Sequence, residues 1–116
     1  MNIFFIEPDA SPQNLTVNAT SSTTINCSWD GIEKTKQNGK ILGYKVFYKA
    51  TEGYRNNTDE QMEKVSDGGS YRTVLKNLDK YVKYEVRILA YTRAGDGTNS
   101  SKETAWTFED SELFIL

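Results

Sequence analysis

The stretch Tyr84-Glu85-Val86-Arg87-Ile88-Leu89-Ala90 decides the fold. Its apolar residues Tyr84, Val86, Ile88 and Ala90 stand two apart, and that period sends them to one face of an extended chain. The same period runs through Ile25-Asn26-Cys27-Ser28-Trp29 and through Ile41 to Tyr48, where Tyr44, Val46 and Tyr48 are in step. It recurs at Tyr71, Thr73 and Leu75 and, more briefly, in Leu15-Thr16-Val17. Between these runs lie Gly31, Asn38-Gly39, Gly53, Asp67-Gly68-Gly69 and Gly95-Asp96-Gly97. Such sequences make turns, because they supply positive φ at little steric cost. Segment 50–62 is polar and weakly patterned, and it reads as a loop with a short edge strand. No segment carries a long apolar stripe of 3.6-residue period. About seven short strands with regular turn signals predict an all-β antiparallel sandwich.

The chain has 116 residues, 37% of them hydrophobic and 26% charged, which is the make-up of one ordinary globular domain. The apolar runs Ile3 to Ile6 and Leu113 to Leu116 are far shorter than the roughly 20 residues of a membrane span. Direct membrane insertion is therefore not expected. Ile3 to Ile6 also makes a poor secretion signal, so Met1 reads as a start added to a piece of a longer chain. The 14 basic and 16 acidic residues are well mixed, leaving a net charge of -2. Phosphate neutralisation needs a basic patch, so nucleic acid is excluded as a partner. There is no His and one Cys. That removes Ser-His-Asp and Cys-His catalysis and nearly every zinc site. No enzyme activity, metal or cofactor is expected. A lone Cys forms no internal disulfide.

These pieces, in order, resemble a fibronectin type III domain from about Pro12 to Asp110. Pro12-Gln13-Asn14-Leu15-Thr16-Val17 is similar to the family's first strand, and Thr24 to Trp29 to its second, ending in the core tryptophan. Asn38 to Tyr48 resembles the third strand, and Leu78 followed six residues later by Tyr84 resembles the family's corner motif. Ala90 with Gly95 and Gly97 is similar to the loop before the last strand, and Thr107 to Asp110 to its exit. The resemblance implies a seven-stranded immunoglobulin-like β-sandwich without an inter-sheet disulfide. It implies a core of Trp29, Tyr44, Val46, Leu78, Tyr84, Val86 and Ile88, with the Tyr84 hydroxyl returned to backbone near Leu78. Cys27 stands where the family usually has an aliphatic residue. The Arg-Gly-Asp read by integrins in one member is absent. Arg93-Ala94-Gly95-Asp96 occupies the same loop with an inserted Ala, and its glycines shape a turn.

Five Asn-x-Ser/Thr triplets begin at Asn14, Asn18, Asn26, Asn56 and Asn99. With nine Asn and 21 Ser or Thr in 116 residues, chance supplies roughly 1.6. The excess marks these five as candidate N-glycosylation sites and the chain as extracellular. Cys27 shares the inward parity of Ile25 and Trp29, so it reads as a small buried hydrophobe rather than a reactive thiol. Asp59-Glu60 and Glu109-Asp110 lack the converging oxygens that calcium needs, and read as solvated loop charge.

The outward positions carry the candidate contact residues. If Tyr44, Val46 and Tyr48 point inward, Phe47 points out. If Tyr84 to Ala90 point inward on alternate positions, Leu89 and Tyr91 point out. Family parity puts Ala105 and Thr107 inward and Trp106 outward. Phe47, Leu89, Tyr91 and Trp106 thus form a candidate exposed binding face, with Trp106 as anchor and Tyr91 beside it. The alternative is sheet bracing, with the stems of Lys45, Lys49, Arg87 and Arg93 laid over the rings.

Residues 1–11 read as a linker or extra N-terminal strand, 12–110 as the domain and 111–116 as a C-terminal tail or linker. The apolar ends are expected to pair with a sheet edge or with each other, and left exposed they would promote self-association. Such a domain is expected to be a non-catalytic extracellular protein-binding and spacer module. Its place would be the ectodomain of a membrane-anchored cell-surface receptor or adhesion protein. The partners would be other proteins or neighbouring domains of the same chain. Two alternatives stand beside this: an accessory module of a secreted carbohydrate-active enzyme, and an intracellular structural repeat.

Overall fold

A computed structural model describes Pro8 and residues 10–109. Two antiparallel sheets pack face to face. The smaller has the order β1 (Gln13–Ala19), β2 (Ile25–Asp30), β5 (Arg72–Leu75). The larger runs β4 (Gln61–Val65), β3 (Gly43–Glu52), β6 (Lys83–Thr92). Beyond β6 lie the two-residue β7 (Gly95–Asp96) and then β8 (Glu103–Trp106), each paired with a different end of β6. Among the described residues seven full strands therefore form the sandwich, and β7 is a hairpin extension of β6.

The side-chain period of two builds the core directly. Trp29, Tyr44, Val46, Leu78, Tyr84, Val86 and Ile88 are all buried in one inter-sheet cluster, with Ile25, Cys27, Leu75, Val82 and Ala90 beside them. The rings of Trp29 and Tyr44 meet at 5.2 Å and 58°, a tilted contact that suits two ring quadrupoles. Among the described residues, the buried indole N–H of Trp29 meets no acceptor at bonding geometry. Burial pushes the Cys27 thiol up to about 12, so it stays neutral.

Three features lie outside the alternation. A single helical turn, α1 (Lys34–Gln37), follows β2 and ends at Asn38 in the left-handed conformation, φ 55. The strand expected from Ile41 begins at Gly43, and the one expected from Tyr71 begins at Arg72. The last strand is split. Between β7 and β8 the ladder continues through Gly97 N–H to the Ala90 carbonyl and Ser100 N–H to the Ile88 carbonyl. Segments 1–7 and 110–116, where end pairing is expected, lie outside the described residues.

Candidate functional site: the outer face of the larger sheet

Register fixes which outward side chains meet. On β3 and β6, Phe47 stands opposite Arg87, Lys45 opposite Leu89 and Gly43 opposite Tyr91. On the far edge Phe47 faces Met62 and Lys45 faces Lys64. On the near edge Trp106 stands opposite Lys83. Phe47, Leu89, Tyr91 and Trp106 therefore share one face, as the period of two requires.

They do not share one patch, which corrects the expected contiguity. Trp106 and Tyr91 meet β6 at positions eight residues apart, roughly 27 Å along the strand. Leu89 is only 5% exposed although it lies outside the inter-sheet cluster. Lys45 stands directly opposite it on β3. Trp106, 41% exposed, has Tyr81 as its ring partner rather than Tyr91.

The two rings toward the Tyr91 end are capped by cations. The Arg87 guanidinium lies 4.0 Å from the Phe47 ring centroid. The ammonium groups of Lys45 and Lys64 lie 5.6 and 5.1 Å from that of Tyr91. A cation over a ring face is attracted by its quadrupole. The cations are held in turn by carboxylates: Lys45 by Asp96 at 2.8 Å and Arg87 by Glu60 at 3.0 Å. Arg87 also donates to the Asn99 carbonyl. Gly43 permits this arrangement, because a Cβ there would sit 2.0 Å from the Val65 carbonyl oxygen and 2.7 Å from the Tyr91 hydroxyl.

The Trp106 end is different. The rings of Tyr81 and Trp106 stack at 5.2 Å and 35°. Tyr81 is 54% exposed and neighbouring Phe108 is 43% exposed. Tyr81 also holds φ 48, an uncommon conformation for a bulky residue. Its N–H donates to the Phe108 carbonyl, which fixes the two beside each other. The pad rests on the corner. Tyr84 accepts a hydrogen bond from Asp79 N–H at 2.8 Å. The buried Thr107 hydroxyl donates to the Asp79 carbonyl at 2.7 Å and accepts from Val82 N–H at 2.9 Å. Burial raises the Tyr84 pKa, and the hydrogen bond from Asp79 opposes that rise. Tyr81 and Phe108 escaped the sequence reading because they sit in a loop and at a chain exit, outside any alternating run. The nearest signal is the pair of aromatics flanking the corner residues.

The glycosylation candidates scatter over the surface. Asn14 Nδ2 is bonded to Asp30 Oδ2 at 2.7 Å, and Asn56 Nδ2 to Asp79 Oδ1 at 2.9 Å. Asn99 receives Arg87. Asn18 is exposed on β1, opposite the half-buried Asn26 of β2. Among the described residues, no group of three or more His, Cys, Asp or Glu converges as a metal site.

Two packed antiparallel sheets tied by a tyrosine hydroxyl at the crossover define an immunoglobulin-like sandwich domain. The model of the fibronectin type III domain matches residues 10–106, and the chain belongs to that family. It is 42% identical over 94 residues to protein sidekick-1 of Gallus gallus, covering 81% of this chain and 4% of that protein. It is 35% identical over 103 residues to the cell adhesion molecule DSCAML1 of Homo sapiens, covering 89% of this chain and 5% of that one. The chain thus spans a small fraction of the relatives it matches. Among solved structures, the third fibronectin III domain of human KIAA0343 protein superposes with TM-score 0.84 at 22% identity, over 96% of this chain and 91% of the other, a likeness of fold. The FN1-FN3 domains of chicken CNTN1 superpose with TM-score 0.72 at 28% identity, over 87% of this chain and 33% of the other.

Proposed function

We propose that the domain is a non-catalytic extracellular module that binds proteins and sets spacing in a cell-surface adhesion receptor. Its unit is residues 12–110, flanked by linkers. Family membership and the adhesion molecule among its relatives support the class. One observation carries the site: the open aromatic cluster Tyr81, Trp106 and Phe108, placed where Thr107 to Glu109 leave the sandwich. The occupant assigned to this pad is a partner protein on the recognised cell, met by rings that stand open to solvent. Phe47 and Tyr91 contribute a ring edge at most, and Leu89 is covered.

The test uses the whole natural receptor on the surface of unpermeabilised cells. An antibody to this domain should stain them, and its ectodomain should bind cells that recognise it. Trp106→Ala should weaken that binding by about 2 kcal/mol while the Tm stays near wild type, because binding energy concentrates in a few aromatic anchors. Absence of surface staining, or full binding by the variant, would contradict the reading.

A further inference from the structure

The outer face of the smaller sheet has a different chemistry. By register Thr16 pairs with Ser28, Asn18 with Asn26, Asn26 with Val74 and Ser28 with Arg72. Among the described residues that face holds no aromatic residue, and its apolar side chain is Val74. Two of the five Asn-x-Ser/Thr triplets begin on it as a single cross-strand pair. Opposed residues of an antiparallel pair have Cβ atoms about 4.5–5.5 Å apart. A pyranose ring and its substituents do not fit twice within that gap.

The five acceptor nitrogens are unequal. Those of Asn14 and Asn56 each donate to a carboxylate, and Asn14 is held in the left-handed conformation at φ 55. Asp79 also accepts the Asn56 backbone N–H at 2.9 Å, so both ends of that residue are clamped. Asn99 is fixed through its carbonyl by Arg87. Asn26 is half-buried in the central strand, with Asn18 on one side and Val74 on the other. Asn18 is exposed on the edge strand, and among the described residues its side chain makes no hydrogen bond. Thr20, the hydroxyl residue of its triplet, lies just past the end of β1 and is exposed.

We propose that Asn18 carries an N-linked oligosaccharide that lies over the β1–β2–β5 face and excludes a second glycan at Asn26. The donor is a lipid-diphosphate-linked oligosaccharide. The Asn18 Nδ2 forms the bond to the sugar C1, the C1–O bond to the diphosphate breaks, the lipid diphosphate leaves with the bonding pair, and Nδ2 releases one proton. No electrons are exchanged. The glycan closes the polar face and leaves the larger sheet, with its Trp106 pad, as the side open to protein. The inference rests on the extracellular reading above, but the two fail separately, since attachment is read by mass and adhesion by binding.

The full chain would be expressed behind a secretion signal in a eukaryotic cell. It would then be treated with peptide N-glycosidase in H2 18O and its peptides analysed by mass spectrometry. Asn18 should carry the 18O label in most molecules, and no molecule should carry it at both Asn18 and Asn26. Asn18→Gln should move the label to Asn26, with an unchanged Tm. Thr20→Ala, which keeps the Asn and removes the triplet, should do the same. An unlabelled Asn18 in secreted, folded chain would overturn the proposal. So would double labelling of the pair in one molecule, or an Asn26 that stays empty in both variants.

Discussion

The two ends of β6 present aromatic residues on the same face of the same sheet and treat them in opposite ways. At one end Tyr91 lies under Lys45 and Lys64, above a glycine that makes room for it. At the other Trp106 stacks on Tyr81 and stays open. The difference follows from neighbours. Tyr91 sits on β6 beside β3, opposite Gly43, and Lys45 of β3 and Lys64 of β4 reach across to its ring. Trp106 sits on the short last strand at the sheet margin, where the next aromatic comes from the corner loop. Parity alone makes the two rings equivalent, and cross-strand company separates them into a brace and a contact surface.

The comparison breaks most readily at the covered end. Gly43→Ala would push a methyl group into the Val65 carbonyl and the Tyr91 ring. It should cost about 3 kcal/mol, read from the urea midpoint. A loss near zero would mean that β3 and β4 yield there and that the brace is loose. Next is the support of the open end. Tyr84→Phe leaves Asp79 N–H without its acceptor and should cost about 2 kcal/mol. Amide exchange at Asp79 and Val82 should quicken while Tyr91 neighbours stay protected. Uniform quickening would show that the corner serves the whole sandwich rather than this end.

Two smaller effects sharpen the contrast. Cys27 lies in the core, on β2 of the facing sheet. Its thiol is raised from 9.0 to about 12 in the folded chain, so the folded state keeps a proton that the unfolded state loses. The stability involved is whole below pH 9 and falls as pH rises toward 12, by at most about 1.4 kcal/mol per pH unit. Urea midpoints at pH 8 and 10.5 should therefore converge in Cys27→Val relative to wild type. Equal slopes in both proteins would remove Cys27 from the account. The smallest effect is at Tyr81. Asn tolerates its positive φ, so the relieved strain offsets the lost ring contact. Tyr81→Asn should stay within about 1 kcal/mol of wild-type stability while weakening contacts made by the pad.

Much of this was legible in the chain. The alternation in Tyr84 to Ala90 and Ile25 to Trp29 dictates which side chains are buried, because a pleated strand admits only two facings. The outward parity of Phe47, Leu89, Tyr91 and Trp106 follows from the same rule. Position along the sheet did not follow. The register of β8 is set by the passage from Gly97 to Lys102, where Gly97 and Ser100 N–H donate to β6 carbonyls and the Ser100 hydroxyl accepts from Ile88 N–H. A two-residue β7 and a four-residue β8 carry too little pattern to reveal it. Leu89 looked exposed because alternation gives the facing of a side chain and not what surrounds it on that face. Tyr81 owes its place to a left-handed backbone and to the bond its N–H donates to the Phe108 carbonyl, neither of which has a sequence period.

The central claim is that the Trp106 end makes contacts and the Tyr91 end does not. The most direct measurement compares monomeric ectodomains bearing Trp106→Ala and Tyr91→Ala for binding to the cells that the wild-type ectodomain recognises, with the Tm of each. The account predicts about a 30-fold loss of affinity for Trp106→Ala at unchanged Tm, and unchanged affinity with a lowered Tm for Tyr91→Ala. The reverse assignment, or cells that bind none of the three, would contradict it.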